Sequence, residues 1–181
     1  SSFVATGHSL DIVRHSILNR CNTPGDNVID HMVIYNVTPE SITINQTAEW
    51  LQDMVIETSY LLMCPISRAY TSSAKIENQS EIIDISYSGH SRPSISGNKG
   101  EFSLWGDNFY AKIEYECLEG AFNKAFSFIS PSSSPSYNKF YYNFVGSNVQ
   151  ESVKAGHRVS TYGRISYSYN DKLVGQTNII M

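Results

Sequence analysis

The chain is poor in the residue groupings on which metal, redox and phosphate chemistry depend. Its three cysteines, Cys21, Cys64 and Cys117, never fall as C-x-x-C, which argues against a zinc site. An odd count fits either one disulfide with a spare thiol or three buried thiols. Five histidines, His8, His15, His31, His90 and His157, are dispersed, with neither H-E-x-x-H nor His-x-His spacing, so no metal and no cofactor is expected. The Gly-His-Ser triplets at 7–9 and 89–91 are not the G-x-S-x-G of a nucleophile elbow. A phosphate cradle needs glycine opening a helix, whereas the glycines at 97 and 100 run into a strand pattern. Glu114 and Glu116 share one strand face and read as a solvated face rather than an acid–base pair. An enzyme is therefore not expected.

Charge is scarce as well. Charged residues make up 17% of the chain, below the roughly 25% of an ordinary soluble domain. The net charge is −4 and no Lys/Arg run occurs, which excludes the clustered basic face that a nucleic acid partner requires. The longest apolar run, residues 60–64, is five residues, far short of the ~18 of a transmembrane helix. The sequence opens on Ser-Ser without methionine, as a processed or trimmed product would, and no signal peptide is readable. Sequons at Asn36, Asn45 and Asn78 are compatible with secretion.

What is abundant is serine, asparagine and tyrosine, with 41% hydrophobic residues, enough for one domain that buries roughly 70% of its unfolded surface. Residues 1–27 stand apart: Leu10, Ile12, Val13, Ile17 and Leu18 fall near helical spacing, closed by the turn chemistry of Asn-Thr-Pro-Gly-Asp-Asn. This predicts a short N-terminal helix or arm on a main domain over 28–181. From there β signals dominate. Short segments at 28–37, 40–47, 80–88, 100–106, 108–117, 125–130, 139–146, 163–170 and 173–181 are rich in β-branched and aromatic residues and divided by Gly, Pro, Ser or Asn. The stretch 47–63 is read as strand and loop. Strands at this spacing predict an all-β, two-sheet sandwich.

The aromatic residues then stand out. Each ring by itself fits a core or a cross-strand pair. Together, twelve tyrosines and two tryptophans suit a lipid–water boundary or a sugar-binding surface.

Four stretches in order, Gly-His-Ser-Arg-Pro-Ser-Ile-Ser-Gly-Asn-Lys-Gly-Glu-Phe-Ser-Leu-Trp-Gly-Asp from residue 89, Tyr115-Glu116-Cys117 with Gly120 and Asn123, residues 138–148 and residues 162–170, resemble the aegerolysins. These are small β-sandwich proteins related in fold to the actinoporins. Their pattern is a Gly-Arg-Ser loop, a Gly-x-Phe strand, a Trp-Asp-Cys-Pro segment, a Gly-x-Asn loop and a final Leu-Gly-x-Ile strand. Residues 32–50 resemble the family's first hairpin, leading to Trp50, and the likeness spans about 28–170. Tyr115 through Glu119 stands where the family has Trp-Asp-Cys-Pro-Trp. Phe122 replaces the lysine that follows, and His90 the loop arginine.

The resemblance implies that Trp50, Tyr115, Glu116, Glu119, Phe122 and His90 face a membrane lipid, a sphingolipid or related headgroup. It further implies a secreted or externally membrane-associated protein, the targeting component of a two-component pore-forming cytolysin with a perforin-like (MACPF) partner. Two alternatives remain: a self-sufficient actinoporin-like pore former inserting residues 1–27, and a carbohydrate-binding lectin on the same sandwich.

Overall fold

A computed structural model describes residues 1–57, 59–131, 136–145 and 149–169; the strand expected over 173–181 lies outside the described residues. The alternation and the β-branched runs emerge as strands, and among the described residues there is no helix. In chain order the strands are β1 (Ser2–Ala5), β2 (Leu10–Asn19), β3 (Asn27–Val37), β4 (Ser41–Trp50), β5 (Met54–Ile56), β6 (Ser59–Ser67), β7 (Ser73–Ile76) and β8 (Ile82–Asp84). They continue as β9 (Ser94–Ser96), β10 (Lys99–Trp105), β11 (Phe109–Glu119), β12 (Phe126–Pro131), β13 (Tyr137–Val145), β14 (Glu151–Val153) and β15 (Arg158–Tyr169). The stretch 47–63 is strand, loop and strand.

Among the described residues, a nine-stranded sheet runs β1-β2-β3-β4-β15-β11-β10-β7-β8, and a four-stranded sheet runs β6-β13-β12-β9, with β14 and β5 forming a small pair. All pairings are antiparallel. The large sheet turns Phe102, Leu104, Ile113 and Tyr115 inward against Phe140, Tyr142, Leu62 and Ile129 of the smaller sheet. Phe102 meets Phe140 edge to face with ring centroids 5.4 Å apart, and Tyr115 lies 4.3 Å from Tyr142. This is a sandwich in which each inner face supplies alternate residues to one apolar layer.

The N-terminal segment differs from expectation. Leu10–Asn19 is strand β2, paired with β3 along nearly its whole length. Its β-branched Ile12, Val13 and Ile17 cost little in a pleated strand and lose rotamer freedom in a helix. The spacing that suggests a helix is two faces of one strand: Leu10, Ile12 and Leu18 align with Val37, Tyr35 and Ile29, while Val13 and Ile17 lie on the opposite side.

A second apolar cluster closes one end of the sandwich, gathering Trp50, Phe122, Phe144, Val145, Val153 and Val159. All three cysteines are free thiols, with Cys21 exposed and Cys64 and Cys117 half-buried. Gly120 takes a positive φ of 69° with the backbone of Arg158 packed against it, so only glycine fits directly after the end of the β11–β15 ladder.

Candidate functional site

Four of the six residues expected to face lipid are inside the protein. Trp50 is 3% exposed as the last residue of β4, Tyr115 2%, His90 5% and Phe122 9%. Trp50 and Phe122 pack on one another (centroids 6.1 Å) and on His157 at 5.7 and 5.3 Å. Tyr115 faces the inter-sheet layer, its phenol hydrogen-bonded to Ser127. Burial pushes that phenol up to about 12. His90 is held by the Ser91 carbonyl and by Asn138 Oδ1, 3.2 Å from its Nε2. Glu116 and Glu119 are exposed, the latter 3.9 Å from Arg158 Nε. Rings buried between sheets reach no bilayer, and the six residues do not form one surface.

The solvent-facing side of the large sheet carries a different grouping. Alternation along β10 points Lys99, Glu101, Ser103 and Trp105 outward, and along β11 Tyr110, Lys112, Glu114 and Glu116. The register sets Lys99 opposite Glu116, Glu101 opposite Glu114, Ser103 opposite Lys112 and Trp105 opposite Tyr110. On the other flank β15 brings Tyr162 beside Glu116, Arg164 beside Glu114 and Ser166 beside Lys112. Beyond it β4 adds Thr43 and Asn45 in the same rows.

A notch forms where this face meets the sheet margin. Strand β7 pairs with β10 only from Phe102 to Trp105, so Lys99–Glu101 has no full strand beside it. There the Glu77 amide donates to the Glu101 carbonyl at 3.1 Å. The β7–β8 turn, with Asn78 at φ 63°, stands over the gap. The resulting cleft of about 410 Å³ is lined by Glu77, Gln79, Lys99, Glu101, Glu116 and Tyr162, among others. Gly100 forms part of the lining, and a Cβ there would press on the Tyr115 phenol and lie 2.7 Å from Ile95. The cleft and the phenol beneath it therefore both need glycine at 100.

The charges are partly matched. Lys112 Nζ lies 2.7 Å from Glu101 and 3.3 Å from Glu114. The bond to Glu101 is the largest of the effects that raise the Lys112 ammonium above its ordinary value, against an opposing effect of burial. This one amine fixes two carboxylates across the β10–β11 pair. Glu116 is exposed and, among the described residues, forms no ion pair. No group of three His, Cys, Asp or Glu side chains among the described residues could hold a metal ion. Chemically, the cleft offers hydrogen-bond acceptors, one amine, Lys99, and the Tyr162 phenol, with Lys112 and two aromatic side chains, Trp105 and Tyr110, farther along the same face.

Of the lipid-facing set Tyr115 and Glu116 line this cleft. Lys99, Glu101, Lys112 and Tyr162 were missed. The signal was present in the alternation of Lys-Gly-Glu-Phe-Ser-Leu-Trp and Tyr-Ala-Lys-Ile-Glu-Tyr-Glu, but the register that puts the charged rows side by side is not written in either strand.

No protein-family model and no curated protein matches the sequence. Solved structures do resemble the fold. A galactose mutarotase related enzyme from Lactobacillus acidophilus aligns with TM-score 0.51 at 12% identity, over 94% of this chain and 73% of that one. Slr1438 from Synechocystis sp. PCC 6803 aligns at 0.44 and 12% identity, over 92% of this chain and 65% of that one. A protein proposed as an aldose 1-epimerase from Escherichia coli K12 aligns at 0.35 and 11%, over 92% and 68%. The chain thus spans about two thirds to three quarters of the length of these neighbours.

This overturns the aegerolysin resemblance and the reading drawn from it, a lipid-binding component of a pore-forming toxin. The all-β sandwich is similar in fold to that of the galactose mutarotase related enzyme from Lactobacillus acidophilus. The expectation of a non-enzyme is corrected with it, because this fold is shared with a protein described as an enzyme.

Proposed function

We propose that this chain is a carbohydrate-binding domain, with the cleft on the open face of the nine-stranded sheet as its sugar site. The observation that carries the reading is the single outward face on which Glu101, Glu114, Glu116, Lys99, Lys112 and Tyr162 lie next to each other in register. Sugars present vicinal hydroxyls, which bind well to charged, planar or forked polar groups because charge-assisted hydrogen bonds are the strong ones. Their C–H faces pack on aromatic rings, and Tyr162 lines this cleft. The cleft volume of about 410 Å³ falls within the usual range for small-ligand sites. The fold it shares with a galactose mutarotase related enzyme supports the same class of ligand.

A second reading, aldose 1-epimerisation, is favoured by one feature: Glu116 has no ion pair among the described residues and is flanked in register by Lys99 and Tyr162. Interconverting anomers needs a base at the anomeric hydroxyl and an acid at the ring oxygen. Glu116 takes the hydroxyl proton, the C1–O5 bond breaks, and the Lys99 ammonium gives its proton to the ring oxygen. The open aldehyde turns about C1–C2 and the ring closes as both protons return.

Titration calorimetry with galactose and glucose tests the binding reading. Saturable heat, weakened at least tenfold in Glu116→Gln, is expected, and no heat with either sugar overturns it. Polarimetry of freshly dissolved α-galactose tests the second. An unchanged rate of mutarotation removes the epimerase reading and leaves binding in place.

A further inference from the structure

We infer that the cleft selects its saccharide by charge, taking neutral and amino-substituted sugars and turning away those that carry a carboxylate, sulfate or phosphate. This rests on the sugar-binding reading above and deepens it.

Four carboxylates border the cleft, Glu77, Glu101, Glu114 and Glu116, while its own lining contributes one amine, Lys99. Lys112, just outside the lining, is engaged by two of them, Glu101 at 2.7 Å and Glu114 at 3.3 Å. It therefore cancels charge that is already spoken for and offers little to an incoming anion. Arg164 is the register partner of Glu114 but is exposed and outside the lining. With all three cations counted, the carboxylates are still in excess by one. Within the lining alone they exceed Lys99 by three. The whole chain carries −4, so the far field has the same sign as the near one.

Position matters as much as number. Glu77 stands at the rim on the β7–β8 side, and Glu116 lies across the gap beside Tyr162. A substituent entering the notch passes between two carboxylates that form no ion pair among the described residues. A protonated amine there gains charge-assisted hydrogen bonds. A uronate or a sugar phosphate meets like charge in a partly desolvated notch, where the effective dielectric is lower than in water and repulsion is stronger.

The test is calorimetric titration of the full chain with galactose, galactosamine and galacturonate, at mildly acidic pH where the amine is charged and the uronate ionised. At low salt, galactosamine is expected to bind roughly fivefold or more tighter than galactose, and galacturonate weaker by a similar factor. Raising salt to about 0.5 M should compress both ratios, because the cleft is open to solvent and screening reaches it. Glu77→Gln should narrow the amine-to-neutral ratio. Galactose binding with no order among the three, or with galacturonate tightest, overturns the charge selection and leaves the sugar-binding reading standing. Absence of binding by all three overturns both.

Discussion

Trp50 meets Phe122 edge to face, centroids 6.1 Å apart, inside the cluster that closes one end of the sandwich. Two residues that look like surface anchors in the sequence thus anchor each other. Trp50→Ala should destabilise the fold by about 3–5 kcal/mol, the cost of deleting a large buried ring. Denaturant melts of the two proteins measure it. A change below about 1 kcal/mol would mean that the ring is not in the core.

Gly100 is the second point of leverage. Any side chain there meets the Tyr115 phenol and Ile95. Gly100→Ala should cost about 1–3 kcal/mol by forcing those groups off their rotamers. Tyr115→Phe frees space by removing the hydroxyl, so the double variant should lose less than the sum of the two single ones. A double-mutant cycle gives the coupling.

Asn138, on β13, ties Arg68, His90 and Ile85 together. Its Oδ1 accepts from Arg68 Nε at 2.9 Å, Arg68 Nη2 at 2.8 Å and His90 Nε2 at 3.2 Å, and its Nδ2 donates to the Ile85 carbonyl at 2.8 Å. Asn138 is fully buried, so removing its amide strands donors and an acceptor away from water. Asn138→Ala should cost about 3 kcal/mol, more than a single lost hydrogen bond. Amide exchange in residues 85–91 should rise with it, which separates this local loss from a general one.

Lys112 predicts an alkaline limb. Its bonds to Glu101 and Glu114 raise its folded value above the ordinary 10.5. Stability from those bonds is therefore whole below the unfolded value and is lost as pH rises through the folded one. Thermal melts from neutral to strongly alkaline pH should fall more steeply in the native protein than in Lys112→Met. The half-exposed setting keeps the difference at neutral pH small, within about 1 kcal/mol. Equal slopes would show that the amine is not bonded as described.

Thiol chemistry should distinguish the three cysteines. Burial pushes Cys64 up to about 12 and raises Cys117 as well, while Cys21 is exposed. Since the thiolate is the nucleophile, a disulfide reagent at mildly alkaline pH should label one thiol quickly, and Cys21→Ser should remove that phase. Rapid labelling of Cys64 in the native protein would contradict its burial.

Much of the fold is local information. The alternation in residues 100–106 and 108–117, the β-branched run at 28–37 and the turn residues between them specify strands without reference to distant parts of the chain. Where two periods overlap, as at Leu10, Ile12, Val13, Ile17 and Leu18, the sequence is ambiguous. Pairing with β3 resolves it, because ladder hydrogen bonds outweigh a weak propensity. The short Gly, Asn and aromatic motifs that suggest an aegerolysin are the turn and strand chemistry of many β-sandwiches, so they define a class of architecture more than a lineage.

The cleft belongs to the tertiary structure. Strand sequence says that Glu101 and Lys112 each face outward or inward with their neighbours; it does not say that they lie in adjacent rows, or that β7 ends early enough to leave a notch beside Lys99. Burial of Trp50, Tyr115 and Phe122 is likewise a consequence of how the sheets pack: Tyr115, for one, sits between Glu114 and Glu116 in sequence and finds its apolar partners only in space. What one strand's sequence determines is which residues share a face. Which faces meet, and what they enclose, is fixed only when register and sheet packing are fixed.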